Sequence, residues 1–600
     1  MLQCSGKWKR CHVGLAIDSR RRFVTFCPTM KNLLCISACA LLLTSPAYTQ
    51  NIPHLEKRGE ATQLIVDGKP FLALSGELAN TAPTDLEYMR RMFPILANQV
   101  HLNTVLTAVA WAWIEPEEGK YDFHFVDAAL ENANKNNVRI AWLWFGSWKN
   151  GASNFTPGWV KANQDRFPKA QIQDGRSVEI LSTLSDENVR ADARAFAALM
   201  RHVRQVDKNH RVIMVQVENE VGLLGDSRDR SATANAAFAK PVPREFMDYL
   251  QKHKDTLLPE FRAVWEAAGF KTAGTWEEVF GQGMRTDEIF MGWNYARYVD
   301  QVAQAGKAEY NVPMFVNAWL NAPTDKGPGD YPSGGPQAHQ HDIWRAGAPH
   351  IDMLCPDIYM TNFAQLAALY SRSGNTLFIP ECAGDVHGAA NAFYAIGQFK
   401  AVGYSSMGIG ELQRLTAFRA GDAGSVPPAE VGNLPLPRAY DTLQQLAPLV
   451  LEHQTNGTIA GVWLTRENPT AQVKLGGYIL NVSLAGWGRT NVSDTPIGYG
   501  IFMATAPDEF LMSGDNVQVT FSPGTPGPEF VGLIEQAAGR FENGRWMVTR
   551  YLGGDDSTLR KDLGGAVAEH QSGFGVRLMS QPHLSFAERA IQRVKVYRYK

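Results

Sequence analysis

Short apolar runs alternate with longer stretches of helical periodicity along residues 60–445. In the stretch 186–206, for example, Val189, Phe196 and Met200 recur along one helix face. Strands that alternate with helices in this way are typical of parallel βα units. The apolar runs are FLALSGEL (71–78), NTVLTAV (103–109), RIAWLWFG (139–146), RVIMVQVENE (211–220), PMFVNAWL (313–320), DMLCPDIY (352–359), LFIPECAG (377–384) and YSSMGIGE (404–411). Eight such runs predict an α/β fold, a (β/α)8 TIM barrel, over residues 60–445.

Beyond residue 445 the pattern changes to short alternating runs broken by Gly, Pro and Asn. In residues 539–552, Asn543-Gly544 separates two alternating runs, which is typical of a two-residue β-hairpin. The segment RVKVYRYK (593–600) alternates like a last strand. We therefore predict a β-sandwich-like C-terminal domain over residues 446–600. Packing on the barrel rim and binding of polysaccharide are alternative roles for it.

The N-terminus has the order of a secretory signal. Met30-Lys31-Asn32 is followed by an apolar stretch at 33–43 and then by small residues that end at Ala47. Residues 1–50 are therefore predicted to be an upstream segment and a signal peptide, with Met30 as the start and export to the periplasm or the outside. The apolar stretch is shorter than the roughly 20 residues that a membrane span needs, so no membrane anchor is predicted. The alternative of a lipoprotein depends on ISAC (36–39).

Charge and cysteine content exclude several classes of protein. The chain has 58 basic and 60 acidic residues, whereas nucleic-acid and membrane-surface partners favour a basic excess. Five of the seven cysteines lie in residues 1–50, which leaves Cys355 and Cys382 as predicted buried free thiols. No Gly-rich phosphate loop opens a helix after a strand, so no nucleotide or other cofactor is predicted.

The fourth apolar run carries polar residues at every second position. In VIMVQVENEVGLLG (212–225), Gln216, Glu218 and Glu220 alternate with apolar residues. Inward-pointing residues of a barrel strand alternate, so the three are predicted to point inward at successive layers, with Glu220 at the mouth. Buried polar groups need hydrogen-bond partners, and Glu218 is interpreted as a buried support.

A second carboxylate ends the seventh run. LFIPECAG places Glu381 at the barrel mouth, across from Glu220. Two facing carboxyl groups are what glycoside hydrolysis uses, one to protonate the leaving oxygen and the other to attack the anomeric carbon. An ionised nucleophile also raises the pKa of the acid and keeps it protonated.

These motifs resemble glycoside hydrolase family 35, the retaining β-galactosidases. The likeness lies in LIVDGKPFLALSGEL (64–78), LNTVLTAVAWAWIEPEEGKYDF (102–123), VQVENEVG (215–222) and FIPECAG (378–384). It implies that Glu220 is the acid/base, that Glu381 is the nucleophile and that Asn219 binds the sugar 2-hydroxyl. At strand three the Gly-Pro-Tyr-x-x-Ala-Glu type of motif is replaced by FGSWKNGAS (145–153), where Trp148 and Asn150 are candidates by position alone. The chain most resembles the bacterial subgroup with an extra C-terminal β-domain.

Other singled-out residues have a structural alternative. Tyr359 and Trp319 are candidates for substrate binding; a core Tyr and a packing Trp are the alternatives. Asp357 is interpreted as a capping residue, and Glu115 as a residue that holds the loop after strand two. At most two or three of the tryptophans at 111, 113, 144 and 319 are expected to contact sugar. HQHD (339–342) reads as a loop that enters a helix, so no metal site is predicted there.

The sequence thus predicts a retaining exo-β-galactosidase that acts on oligosaccharides of the plant cell-wall type. The alternatives are a retaining barrel glycosidase of other specificity, such as an endo-glycanase or a β-glucosidase-like enzyme, and a non-catalytic carbohydrate-binding barrel. A retaining mechanism predicts that the carboxyl groups of Glu220 and Glu381 lie about 5 Å apart. No oligomeric state is predicted.

Overall fold

The computed structural model describes residues 52–412, 415, 428–484, 497–552, 575–578 and 591–600. The predicted start, signal peptide and acylation motif lie outside these residues. Asn51–Lys600 form one compact unit. Within the described part of the chain, no helix has the length and apolar composition that crossing a bilayer requires.

The strands up to residue 407 include those of the barrel. Their bounds are β1 His54–Arg58, β2 Ala61–Val66, β3 Lys69–Phe71, β4 Ala73–Glu77, β5 Thr104–Ala110, β6 Arg139–Phe145, β7 Lys169–Gln171, β8 Ser177–Leu181, β9 Val212–Val217, β10 Met314–Trp319, β11 Met353–Ile358, β12 Phe378–Ile379, β13 Glu381–Cys382 and β14 Gly403–Met407. Strands β1 to β3 form a small antiparallel sheet, and β7 pairs with β8.

The remaining strands form a closed parallel barrel. Their order is β12-β14-β4-β5-β6-β9-β10-β11-β13, and every pairing is parallel. Pro380 lies between β12 and β13, which are two halves of the seventh predicted strand. One half pairs with β14 and the other with β11, so the seventh strand closes the ring. The predicted (β/α)8 barrel is confirmed.

Helices cover the outside of this barrel. Their bounds are α1 Leu86–Asn98, α2 Trp111–Ile114, α3 His124–Asn136, α4 Gly158–Lys161, α5 Asp186–Val206, α6 Ala232–Phe238, α7 Arg244–Lys252, α8 Pro259–Ala267, α9 Trp276–Phe280, α10 Met284–Glu309, α11 His341–Gly347, α12 Phe363–Tyr370, α13 Gly388–Phe399 and α14 Pro435–Asn456. The helix predicted at 186–206 is confirmed as α5. Ser185 caps it by accepting the Asn188 N–H, and Val189, Phe196 and Met200 are buried.

The barrel interior has an apolar layer below a polar one. Leu143, Met214, Phe315 and Met353 belong to one buried cluster inside the ring. Side chains along a strand alternate between the two faces, so residues two positions further along within the same strand, such as Gln216 and Asn317, also point inward. Polar residues occupy these positions near the carboxyl ends of the strands, where the functional sites of such barrels lie.

The C-terminal region consists of two antiparallel sheets. Its strands are β15 Ile459–Leu464, β16 Thr470–Leu475, β17 Tyr478–Leu484, β18 Gly498–Ala506, β19 Glu509–Asp515, β20 Val517–Pro523, β21 Phe530–Glu542, β22 Arg545–Leu552, β23 Gly575–Leu578 and β24 Ile591–Tyr599. One sheet has the order β15-β18-β19-β24-β21-β22 and the other β16-β17-β20-β23, and both contribute residues to one buried apolar cluster. The predicted C-terminal β-domain, the hairpin at Asn543-Gly544 and the last strand are confirmed.

The larger of these sheets packs on the barrel helices. The rings of Phe393 on α13 and Tyr499 on β18 lie 5.2 Å apart. The Phe541 N–H on β21 donates to the side-chain oxygen of Gln445 on α14 over 3.1 Å. Because α14 continues to Asn456, the division predicted at 445–446 falls inside a helix, and the domain bounds stay a prediction.

Candidate active site

Glu220 lies in the loop that follows β9. Strand β9 ends at Val217, and Glu220 adopts a left-handed conformation with φ of 46°. Its backbone N–H donates to the Asn317 side-chain oxygen over 3.0 Å, and its Oε2 accepts from Nδ2 of Asn150 over 2.6 Å. These contacts hold the carboxyl group of Glu220, which is 5% exposed, at the barrel mouth.

Glu381 is the first residue of β13 and pairs in register with Asp357 of β11. Its side chain is 6% exposed. The Tyr359 hydroxyl donates to Oε1 of Glu381. Tyr359 therefore contacts the predicted nucleophile directly. The alternatives of a capping Asp357 and a core Tyr359 do not account for this contact.

Three carboxyl groups converge between these strands. One oxygen each of Glu220, Asp357 and Glu381 lies within 4.8 Å of the other two. Asp357 is 2% exposed, and its Oδ2 accepts from Nδ2 of Asn317 over 2.6 Å. Asn317 thus connects the Asp357 carboxyl group with the backbone of Glu220, because its side-chain oxygen accepts the Glu220 N–H. The barrel closure brings together residues that are 161 positions apart, counted from 220 to 381.

Burial determines the protonation of this cluster. Burial and then the charge of Glu381 raise the pKa of Glu220 to about 7, although Lys149 and hydrogen bonds from Asp357 and Asn150 oppose the shift. Burial, followed by the surrounding carboxylates, also raises the pKa of Asp357 well above its usual range. A glutamic acid that keeps its proton near neutral pH can act as a general acid.

Glu220→Gln is expected to stabilise the fold at pH 8. A carboxyl group whose pKa is raised in the folded state costs stability as pH rises from about 4.5, where the unfolded chain ionises, to about 7, where the folded group does. Removal of this group should recover about 3 kcal/mol of unfolding free energy at pH 8 and nothing at pH 4. Urea unfolding of both proteins at the two pH values measures this difference.

Glu118→Gln serves as the control, because the pKa shift of Glu118 is opposite in direction to that of Glu220. The pKa of Glu118 is lowered by its hydrogen bond with Arg166, so its loss should not stabilise the protein at pH 8. A Glu220→Gln protein that is no more stable than wild type at pH 8 would contradict the proposed electrostatic cost.

The prediction that Glu218 points into the barrel is wrong. Glu218 has φ of 63°, which turns its side chain away from the inward face after β9 ends. Its Oε2 accepts the Trp148 N–H over 2.8 Å. A Cβ atom on Gly146 would lie 2.5 Å from Oε1 of Glu218 and 2.7 Å from Oδ1 of Asp192, so both acids lie beside this glycine, next to α5. Its interpretation as a buried support agrees with these contacts.

The prediction that Trp148 contacts the sugar is also wrong. The residue is 1% exposed, and its ring lies 5.0 Å from Tyr295 and 4.5 Å from Tyr298, both on α10. Its Nε1 donates to the Leu181 carbonyl. The indole is part of the packing between barrel and helices, so no face is available for a sugar.

The other candidates lie around the carboxyl cluster. The side-chain oxygen of Asn219 accepts from Nζ of Lys149 over 3.0 Å, and its Nδ2 has no protein partner among the described residues. Asn150 contacts Glu220, as described above. Trp319 ends β10, Tyr359 directly follows β11, and the two are 40% and 53% exposed, whereas Trp111 is buried. The two exposed rings therefore provide apolar surface at the mouth, where sugar faces could stack.

Glu115 holds the loop after β5, as predicted. It is buried, and its two oxygens accept from Nε1 of Trp111 and from the Gly119 N–H, each over 2.7 Å. Cys355 and Cys382 are buried free thiols, which is also confirmed.

Sequence reasoning missed three residues of this site. Lys149 is 4% exposed and lowers the pKa of Glu220 and Glu77, both of which it faces. Glu77 ends β4 and is 1% exposed, and burial raises its pKa well above its usual range. Asn317 bonds to the Asp357 carboxyl group and to the backbone N–H of Glu220. A signal was present for Glu77 and Asn317, because each is a polar residue in an otherwise apolar run, as Glu220 and Glu381 are.

Among the described residues, the oxygens of Glu220, Asp357 and Glu381 lie close enough together for a hard cation to bridge them. Glycoside hydrolysis by two carboxyl groups requires no metal ion, so these oxygens are not assigned as metal ligands. In HQHD, His339 contacts Glu288 and residues 341–347 form α11, so the segment enters a helix as predicted.

Two family models match this chain. Residues 87–280 match Glyco_hydro_42, described as Beta-galactosidase, and this region includes Asn219 and Glu220. Residues 436–563 match a domain of unknown function, DUF5597, which begins in α14 and includes β15 to β22. The second match assigns no role to the C-terminal β-domain.

A curated relative is a beta-galactosidase of Xanthomonas manihotis, 28% identical over 274 residues. The alignment covers 43% of this chain and 43% of that protein, so the chain spans less than half of the length of this relative.

Solved structures with some likeness include three enzymes. A beta-galactosidase of Marinomonas ef1 is 13% identical, with 64% of this chain and 62% of that chain covered and a TM-score of 0.41. A beta-galactosidase of Rahnella sp. R3 is 16% identical, with 64% of this chain and 57% of that chain covered and a TM-score of 0.42. A beta-amylase catalytic domain of Paenibacillus polymyxa is 12% identical, with 61% of this chain and 98% of that chain covered and a TM-score of 0.42. At these TM-scores the likeness carries no conclusion. Residues 87–280 and the region matched by the curated relative are thus similar to β-galactosidases, and neither match singles out family 35.

Proposed function

We propose that this protein is a retaining exo-β-galactosidase that removes terminal β-galactosyl residues from oligosaccharides of the plant cell-wall type. The observation that carries the proposal is the approach of the carboxyl oxygens of Glu220 and Glu381 to within 4.8 Å. Retaining glycosidases have their two carboxyl groups about 5 Å apart, whereas inverting ones leave roughly 6.5–9.5 Å for a water molecule. The sugar specificity is supported by the resemblance to family 35 and by the match of residues 87–280.

In the first step, Oε2 of Glu381 attacks the anomeric carbon while Glu220 donates its proton to the leaving oxygen. Oε2 of Glu381 has no protein partner among the described residues, since the Tyr359 hydroxyl bonds to Oε1. The glycosidic C–O bond breaks as the bond to Glu381 forms. Glu220, now ionised, then takes a proton from water, whose oxygen displaces Glu381 and releases the sugar with its original anomeric configuration.

Cellular location and domain roles belong to the same proposal. Export through a signal peptide in residues 1–50 would place the enzyme where plant-derived oligosaccharides are present. The barrel at 60–445 supplies the catalytic residues. No observation assigns a separate activity to residues 446–600.

A panel of nitrophenyl β- and α-glycosides tests the proposal. We expect hydrolysis of the β-galactoside at least about 10-fold faster, in kcat/KM, than that of the β-glucoside, which differs from it only in the orientation of one hydroxyl group. NMR of the first-formed product should show β-galactose. The Glu381→Ala protein, purified in parallel, is the matched control for contaminating glycosidases. Faster cleavage of another glycoside would overturn the sugar specificity, and a first product of α configuration would overturn the retaining mechanism.

A further inference from the structure

Asp357 occupies a position that the two-carboxylate mechanism does not use. One of its oxygens lies within 4.8 Å of those of both Glu220 and Glu381. The residue is 2% exposed, and its Oδ1 receives no hydrogen bond from a protein donor among the described residues and faces the carboxyl group of Glu220. An unpaired buried carboxyl oxygen is costly, so a group that binds between the two catalytic residues would be expected to contact it.

The orientation of Asn317 shows which oxygen of Asp357 can carry a proton. The side-chain oxygen of Asn317 accepts the Glu220 N–H, so its amide nitrogen must face Asp357. Oδ2 of Asp357 therefore accepts a hydrogen bond, over 2.6 Å. If Asp357 is neutral, its proton resides on Oδ1, the atom that faces the other carboxyl groups.

The charges around Asp357 favour its neutral form. Glu77, Glu220 and Glu381 face it from three other strands or strand ends, and burial together with these carboxylates raises its pKa well above the usual range. Lys149 acts on Glu77 and Glu220, and the Tyr359 hydroxyl is directed at Glu381. Three carboxyl groups this close cannot all ionise in a dry site.

We propose that Asp357 is a further substrate-binding residue, whose carboxyl group donates a hydrogen bond from Oδ1 to a hydroxyl of the sugar bound between Glu220 and Glu381. The proposal rests on the proposed function for the position of that sugar. A neutral donor is suited to this place because it holds a hydroxyl group without adding a third negative charge beside the nucleophile.

Two substitutions distinguish whether Asp357 acts as a neutral hydrogen-bond donor or as a charged carboxylate. Asp357→Asn keeps an acceptor toward Asn317 and an N–H donor toward the sugar, so kcat/KM should fall less than about 5-fold, whereas Asp357→Ala should lose roughly 10- to 100-fold. The alkaline limb of the pH profile, which reports Glu220, should stay in place in the Asn variant. Asp342→Asn, a buried aspartate of α11 that accepts the Leu258 N–H, is the matched control and should leave kcat/KM unchanged.

Deoxy substrates identify the partner hydroxyl. For one monodeoxy analogue of the cleaved sugar, the difference between wild type and Asp357→Ala should shrink to less than about 3-fold, because the hydrogen bond is already absent. If every analogue keeps the full difference, Asp357 does not bind the sugar. Equal losses in the Asn and Ala variants, or a shift of the alkaline limb to lower pH in the Asn variant, would show that Asp357 acts as a charged carboxylate.

Infrared spectroscopy tests the protonation without any activity. At pH 7, the wild-type minus Asp357→Asn difference spectrum should contain a protonated-carboxyl C=O band; a carboxylate band instead would overturn the proposal. The kinetic comparisons use whichever glycoside the wild type cleaves best. If the wild type prefers another sugar but the infrared spectrum and the kinetics of the Asp357 variants are as expected, β-galactosidase specificity is disproved and the donor role of Asp357 is not. The two failures are therefore distinguishable.

Discussion

Glu381→Ala is expected to abolish hydrolysis of every glycoside that the wild type cleaves. Without the carboxylate no glycosyl-enzyme can form, so kcat/KM should fall by about 10⁴-fold or more whatever the leaving group. Azide should not restore a β-product, and the open face left by the substitution can at most give the α-glycosyl azide. Initial rates on nitrophenyl glycosides, with NMR of the products, measure both effects.

Glu381→Gln is the matched variant for this test. Glutamine retains the volume of the side chain and an acceptor for the Tyr359 hydroxyl, so its fold should be intact, yet it cannot act as the nucleophile. Thermal unfolding near the wild-type temperature together with a comparable loss of activity would attribute the effect to chemistry. Retention of more than a few per cent of wild-type activity in either variant would place the nucleophile elsewhere.

Glu220→Ala is expected to have an effect that depends on the leaving group. Loss of a general acid costs about 10²- to 10⁴-fold, so substrates with poor leaving groups should be hydrolysed that much more slowly. A dinitrophenyl glycoside needs no protonation and should still form the intermediate, which then accumulates because the base is missing. Added azide should restore turnover and yield the β-glycosyl azide.

Glu218→Ala is the control at a neighbouring, equally buried carboxyl group. Its partners are the Trp148 N–H and Asp192, so its loss should affect packing and stability and should not be rescued by azide. Formation of the β-glycosyl azide by Glu381→Ala instead of Glu220→Ala would mean that the two catalytic roles are reversed. Absence of rescue in both, with an inactive Glu218 variant, would move the acid/base role to Glu218.

The fold followed from the sequence because buried parallel strands are apolar on both faces. Such strands appear as short continuous runs between amphipathic helices, and all eight were recognisable, including the seventh, which Pro380 divides into β12 and β13. Glu220 and Glu381 were identified as carboxyl groups at strand ends because each is a charged residue in an otherwise apolar run. Asn543-Gly544 likewise predicted its hairpin, since its residues have the positive φ angles that this turn requires.

Alternation failed where a strand ended earlier than the sequence pattern suggested. Glu218 and Glu220 lie two and four positions after Gln216, so strict alternation would point all three inward. However, β9 ends at Val217, and both glutamates adopt left-handed backbone conformations. One carboxyl group consequently faces Asp192 and the other faces Glu381. Trp148 was misassigned for a related reason, because the loop after β6 turns its ring toward α10.

The sequence by itself determined the barrel, the C-terminal β-domain and the pair of glutamates, because each depends on local periodicity or on a polar residue within an apolar run. Only the tertiary structure decided that Asp357, Lys149 and Asn317 join them, and that Tyr359 contacts Glu381. These residues meet across different strands of a closed ring. Their burial and mutual charges, which set the pKa of Glu220 near 7, exist only once the ring has closed.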